Sequence, residues 1–439
     1  MVLLVVQAVP VFAESDKPKT DCQAALLMDA NTGKVLYEDN ANAPMQPASL
    51  TKMMTALLVV EHLNLNDTVV ITKEAANVGG NNIELKVGER FTVRELLNAL
   101  LVYSANDTAV ALGIAVSGNL DSFLALMNER AKQLGMYHTH YLSPNGLIES
   151  ENHITTAHDI GIIARKVLQD PTLSRIVRKA KYTVPATNMS GERKLKSTNA
   201  MLYDDKTIIK VNGKERHPKY KGADGVKTGF MNASGYCIAA GARRHGMQLI
   251  AVVMHAKDNN GRYTNAIPML DYGFANFTTH KLIDKGDHGG KVKVKYGHHT
   301  FVQTTIPDGA YVTLPKQASE DIADYDIVMK KNVKAPIRKG TKVGVVNIYE
   351  NGKKQGTSDV VISESVQRGG PWTALYISDM AFIIMCVVAA LILILLLVIV
   401  SRRRQIRKRR EIRRRRAREK RAREIAAERA YKRRRDWPY

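Results

Sequence analysis

The chain has 439 residues, 45% hydrophobic and 24% charged, the composition of a folded protein with room for two or three domains. Its net charge of +23 is concentrated at one end: residues 401–439 hold 20 Lys and Arg against 5 Asp and Glu, while the first 400 residues carry only +8. Three cysteines exclude a disulfide framework, and no CxxC or HExxH spacing is present, so no metal site is expected.

Residues 1–13 are apolar and end in Val11-Phe12-Ala13, a small-x-small pattern suited to cleavage. They read as a signal peptide, cut short because the usual basic start is missing. Residues 22–38 alternate around Asn31-Thr32-Gly33 and predict a β-hairpin. From Ser49 the pattern becomes helical, with Leu50, Met53, Met54, Leu57 and Leu58 forming one apolar stripe. Helical stretches follow at 93–103, 105–116, 121–134 and 157–168, strands at 235–243 and 247–255, and a helix near 262–277. Strands at both ends of this region with helices between them predict an α/β sandwich over 20–278, in which one antiparallel sheet is flanked by helices.

Residues 280–368 change to short alternating segments such as KVKVKYG, TFVQTTI and AYVTLP, which predict a small all-β domain. His298 and His299 are adjacent there; on a strand they point to opposite faces, so the pair is not expected to chelate a metal. After Gly369-Gly370-Pro371, residues 381–400 form an uncharged apolar run. At ~1.5 Å per residue it spans about 30 Å, the length of a transmembrane helix. The arginines that follow place residues 401–439 in the cytoplasm and the bulk of the chain outside. The basic tail is expected to be partly helical and to lie on anionic inner-leaflet lipid; nucleic-acid contact and a cytoplasmic protein partner are the other readings of its charge.

Three short motifs carry chemistry. Ser49-Leu50-Thr51-Lys52 puts a hydroxyl and an amine on one helical face at i, i+3, where a neutral amine could take the hydroxyl proton. Alone it is weak, since a chain of this length holds about one or two such matches by chance. Ser-x-Asn occurs at 104, 117, 143, 150 and 197, and Ser104-Ala105-Asn106 is preferred because it joins two apolar helical stretches. Ser117 reads as a helix-ending turn, and the others lie in polar or basic loops. Lys227-Thr228-Gly229 precedes a predicted strand, so that Lys and Thr offer a cation and a hydroxyl to a carboxylate, and Gly229 permits close backbone approach.

The order SxxK, SxN, KTG is that of penicillin-binding proteins and class A β-lactamases. With the blocks MDANTGKVLYEDNAN, PASLTKMMTALLVVE, LLVYSANDTAVAL, LMNERAKQLGM, NHITTAHD and GVKTGFMNASGYC, the chain resembles the low-molecular-mass penicillin-binding proteins, the D-alanyl-D-alanine carboxypeptidases, over about residues 20–370. The resemblance implies a β-lactamase/transpeptidase-like fold acting on peptidoglycan stem peptides that end in D-Ala-D-Ala, with β-lactams as inhibitors and no cofactor. Ser49 would be the acylated nucleophile, Lys52 its base and Ser104 a proton relay with Lys227. Asn106 would bind the substrate amide, and Thr228 and Arg262 the terminal carboxylate. The backbone N–H groups of Ser49 and Phe230 would form the oxyanion hole. The sequence departs from the family in having SAN where many members have SGN, Phe230 after KTG, and a spanning helix with a basic tail where many relatives have an amphipathic one. The resemblance also implies that the strands of Cys22 and Cys237 are not neighbours, so no disulfide is expected between them. The alternatives are a β-lactamase, which needs a carboxylate such as Glu149 or Glu151 to activate water, and a non-catalytic membrane sensor of wall peptides or β-lactams.

Overall fold

The computed structural model describes residues 17–435; residues 1–13, expected to be a signal peptide, and the last residues of the tail lie outside it. The described chain divides into two compact units. The first holds the residues up to Lys285 with Asp308–Asp326 and Val346–Ser358. The second holds Gly286–Pro307, Ile327–Val345 and the residues from Asp359 onward.

The first unit is built on a five-stranded antiparallel sheet. Its strands are β1 (Ala24–Asp29), β2 (Val35–Asp39), β3 (Ala223–Met231), β4 (Gly235–Arg244) and β5 (Met247–Ala256), in the order β2-β1-β5-β4-β3. β1 pairs with β5 from Ala24 opposite Met254 to Asp29 opposite Leu249, so the N-terminal hairpin completes a sheet begun by the C-terminal strands. β3, the strand of the KTG motif, is one edge of the sheet and β2 the other.

Both faces of this sheet are dry, and the two-residue period of a strand explains how. Leu26, Met28, Ala239, Ile250 and Val252 point to one face and pack in the same core as Leu50, Met53, Leu57, Ile160 and Ile163. Those residues come from α1 (Lys52–His62) with the turn before it and from α4 (Ala157–Gln169), while α2 (Asn106–Ser117) and α3 (Leu120–Leu134) add Leu112, Phe123 and Met127 to the same core. Leu27, Ile238, Ala240, Leu249 and Ala251 point to the other face, onto Tyr263, Ala266, Ile267 and Leu270 of α5 (Gly261–Asn276). The expected sandwich is therefore present.

The stretch read as one helix over 93–103 is an α-helix, Val93–Asn98, that widens into a π-helical turn, Ala99–Tyr103. Thr92 and Glu95 form a reciprocal capping box at its start. Residues 310–315 pair antiparallel with Phe277–Ile283 in a two-stranded sheet.

The second unit contains the antiparallel pair Asp287–Lys295 and Phe301–Ile306. Val333–Lys334 pairs in parallel with the first of these strands, and residues 361 and 362 extend the second. Val292, Val294, Val302, Val343 and Ile362 form its core. His298 and His299 correct an expectation: they lie in a bend, not on a strand, and their rings sit 4.2 Å apart. Strand alternation therefore does not apply to them. The unit ends in one continuous helix, Asp379–Arg435, that runs through the apolar segment into the basic tail. Cys22, Cys237 and Cys386 are free thiols.

Candidate active site

Ser49 sits in a single 3-10 turn, Ala48–Thr51, that feeds directly into α1, whose first residue is Lys52. Ala48, with φ of 46°, bends the chain into this turn. Lys52 is fully buried, and its Nζ lies 2.8 Å from Ser49 Oγ, 2.7 Å from Asn106 Oδ1 and 2.7 Å from the carbonyl oxygen of Asn145. Two of these three neighbours are oxygens that can only accept. A neutral amine fits the arrangement: two N–H bonds go to the amide and the carbonyl, and the lone pair faces the serine hydroxyl. Burial pushes the Lys52 ammonium well below its usual range, the charge of Lys227 adds to this, and Asp107 opposes it.

Ser104 ends the π-helical turn in the left-handed region, at φ of 69°, and Asn106 opens α2. A non-glycine residue held there is strained and persists because its surroundings fix it. Ser104 accepts a 2.8 Å hydrogen bond from Lys227 Nζ, which also donates to its neighbouring carbonyl at Thr228. Lys227 is 1% exposed, and burial, with the Arg262 charge, pushes it down to about 7. Asn106 uses its Oδ1 for Lys52 and donates from Nδ2 to the Gly79 carbonyl. Asn106 thus links Lys52 to the loop at 79–80.

Gly229 was expected to give room for substrate, and the structure shows a nearer reason for its small size. A Cβ there would lie 3.2 Å from Ala48 Cβ and from the Pro47 carbonyl, and 3.3 Å from Ser49 N. The edge strand packs directly on the turn that carries the serine. Phe230 is half exposed and stacks on Tyr236 at 4.3 Å. Arg262, near the start of α5, is held by Asn259 and lies against the Tyr236 and Tyr263 rings. Ser49, Ser104, Asn106, Thr228, Gly229, Phe230 and Arg262 all line one cleft of about 370 Å³. Lys52 and Lys227 lie beneath its floor, bonded to Ser49 and Ser104.

Sequence reasoning missed several neighbours. Asn145 and Thr198 belong to two Ser-x-Asn tripeptides set aside as loops. Yet the Asn145 carbonyl accepts from Lys52, and Thr198 Oγ1 accepts from Thr228 Oγ1 at 2.6 Å. Gly146 has φ of 76°, and a Cβ on it would come within 1.9 Å of the Ala48 carbonyl. His153 is buried behind the motif. Its Nδ1 accepts from Leu142 N–H, so Nε2 carries the proton and donates to Thr51 Oγ1 at 3.1 Å. Burial, with His140, pushes this imidazole down to about 4. Glu149 and Glu151, weighed for a β-lactamase, are both exposed. A larger groove of about 1000 Å³, near Lys214 and Tyr220, contains no serine, cysteine or threonine.

A hydroxyl facing a buried amine, with a second Ser–Lys pair across the same cleft, defines a serine hydrolase of the acyl-enzyme class. Comparison with known proteins narrows this. Residues 11–258 match the family described as D-alanyl-D-alanine carboxypeptidase, and residues 277–368 match the C-terminal domain of penicillin-binding protein 5. The D-alanyl-D-alanine carboxypeptidase DacF of Bacillus subtilis is 33% identical over 84% of this chain and 93% of its own length. DacA of Escherichia coli is 28% identical over 80% and 85%. Among solved structures, penicillin binding protein 5 from Haemophilus influenzae is 29% identical and covers 80% of this chain and 99% of that one, with a TM-score of 0.59. The chain belongs to the D-alanyl-D-alanine carboxypeptidase family, the low-molecular-mass penicillin-binding proteins, and is a serine-type carboxypeptidase of the cell wall.

Proposed function

We propose that Ser49 attacks the carbonyl carbon between the two terminal D-alanines of a stem peptide while Lys52 Nζ takes its proton. The observation that carries this is the coordination of Lys52, whose two accepting oxygens leave the serine hydroxyl as the natural donor to the lone pair. The tetrahedral oxyanion rests on the backbone N–H groups of Ser49 and Phe230. Ser104, hydrogen-bonded to Lys227, passes a proton to the departing D-alanine amine and recovers one from the Lys52 ammonium, which is thereby neutral again for the second half-reaction. Thr228 and Arg262 receive its carboxylate, and the second N–H of Asn106 takes a substrate carbonyl. Water then attacks the Ser49 ester, Lys52 accepts a proton from it, and the shortened peptide leaves. A β-lactam enters by the same first step and forms an ester on Ser49.

The domain limits proposed are a catalytic domain at 20–278, a β domain at 280–368 and a membrane span at 380–400. The uncharged run at 381–400 within one long helix supports a single-pass anchor. The arginines after Ser401 favour a cytoplasmic tail and an extracytoplasmic catalytic domain. The first basic turns then lie against anionic inner-leaflet lipid.

D-alanine release from a peptide ending in D-Ala-D-Ala tests the chemistry. Wild type should release it and Ser49→Ala should not; equal release by both ends the proposal.

A further inference from the structure

The chain of the second unit just before the long helix is tied to that helix in an unusual way. Residues Pro371–Leu375 form a 3-10 turn that folds back on the helix start. The Trp372 ring stacks on Phe382 at 3.9 Å with the planes 6° apart, and its Nε1–H donates to Asp379 Oδ1 at 2.7 Å. Phe382 is the second residue of the apolar run, so the indole lies level with the boundary between hydrocarbon and headgroups. Tryptophan and tyrosine favour that level because one end of the ring is apolar and the other polar.

The neighbouring strand is fixed at the same height. Gly369 N donates to the Tyr296 carbonyl at 2.9 Å, Thr300 Oγ1 to the Tyr376 carbonyl at 2.9 Å, and Asp379 N to the His298 carbonyl at 3.3 Å. These bonds hold the 296–300 turn against the helix start. Three cations then surround it. Lys293 Nζ lies 3.8 Å from the centre of the Tyr376 ring, and Lys295 and Arg368 lie 5.2 and 5.6 Å from that of Tyr296. Lys293 and Arg368 are exposed, and Leu375 beside them is 76% exposed.

We propose that Lys293, Lys295 and Arg368 form a docking surface for the phosphates of anionic phospholipid headgroups, with Trp372, Tyr376 and Leu375 seated at the depth of the glycerol backbone. The inference rests on the membrane-anchor reading and goes beyond it, because it makes the β unit itself a lipid-contacting surface. Continuity with the apolar helix identifies lipid as the occupant: the 296–300 turn is hydrogen-bonded to Tyr376 and Asp379, the residues that lead directly into the apolar run. Stacking on tyrosine leaves ammonium and guanidinium N–H groups to donate to phosphate oxygens.

The test uses the full chain in lipid nanodiscs containing a photoreactive phosphatidylglycerol or a photoreactive phosphatidylcholine, with adducts mapped by peptide mass spectrometry. Phosphatidylglycerol adducts are expected in 293–299 and 365–376, at least fivefold above those from phosphatidylcholine. Lys293→Gln/Lys295→Gln/Arg368→Gln should lose that excess while keeping adducts in 381–400 and normal penicillin acylation, which show that the chain is inserted and folded. Equal labelling by both lipids, or labelling unchanged in the triple variant, overturns the docking surface. Loss of the anchor reading looks different: wild type then gives no adducts in 381–400 at all.

Discussion

At the scale of single residues, the site is a problem of burying two lysines next to two serines. An isolated ammonium in a dry site is costly, and the chain answers with a depressed pKa at each amine. Local spacing made one half of this legible: Ser49 and Lys52 meet because i, i+3 residues share a helical face. The partners of Lys52 from distant chain were not legible in the same way. Asn145 contributes through its backbone oxygen, which no side-chain motif encodes. His153 also escaped notice, although its role follows from chemistry once its neighbours are known. It is buried neutral at about 4 against an ordinary value near 6.5, so the unfolded chain binds more protons between those pH values. The contribution of His153 is therefore complete above pH 6.5 and is lost as the pH drops toward 4, on the order of 3 kcal/mol. Urea unfolding at pH 7 and pH 5 should show a lower midpoint at pH 5 for wild type, with a smaller drop for His153→Gln.

Elements set how these residues meet. The long apolar and alternating segments were readable, because both faces of the sheet are covered and each strand had to satisfy two cores. Short elements were not. Thr68–Val70 with Arg90–Thr92, and Ile209–Val211 with Lys214–Arg216, are pairs of three-residue strands whose pattern is too brief to show a period. The π-helical turn at Ala99–Tyr103 was read as plain helix because its composition, ALLVY, is equally suited to one. Its consequence is local: it leaves Ser104 in the left-handed region, aimed at Lys227. The loop at 143–147 is held as tightly. Gly146→Ala adds a Cβ at positive φ and into the Ala48 carbonyl, so it should cost on the order of 3 kcal/mol in denaturant unfolding. It should also slow acylation, since Ala48 directly precedes Ser49. A variant as stable and fast as wild type would mean that the loop yields without cost.

For the whole molecule, family membership and the catalytic unit's architecture were present in the motifs and their order. Strand pairing in the β region was less readable. AYVTLP alternates like its neighbours, yet its partner strand is Phe277–Ile283, a pairing of long-range register that alternation alone does not specify. The basic tail was expected to be only partly helical, whereas the described helix continues through it to Arg435. Arginine and lysine are good helix formers, and pairs such as Arg415 with Glu419 support the exposed turns. A chain ending at residue 378 should be washed off membranes at high salt, while the full chain should sediment with them and resist that extraction.

The claim on which the account depends is that buried Lys52 works as a neutral base on Ser49. Intact-mass kinetics of penicillin acylation, for wild type and Lys52→Met across pH 5 to 9, test it most directly. The account predicts an ester on Ser49, a wild-type rate that falls toward acid as Lys52 takes up a proton, and a loss of about 10²–10⁴-fold in folded Lys52→Met. Acylation of Lys52→Met at the wild-type rate, or an adduct on another residue, would contradict it.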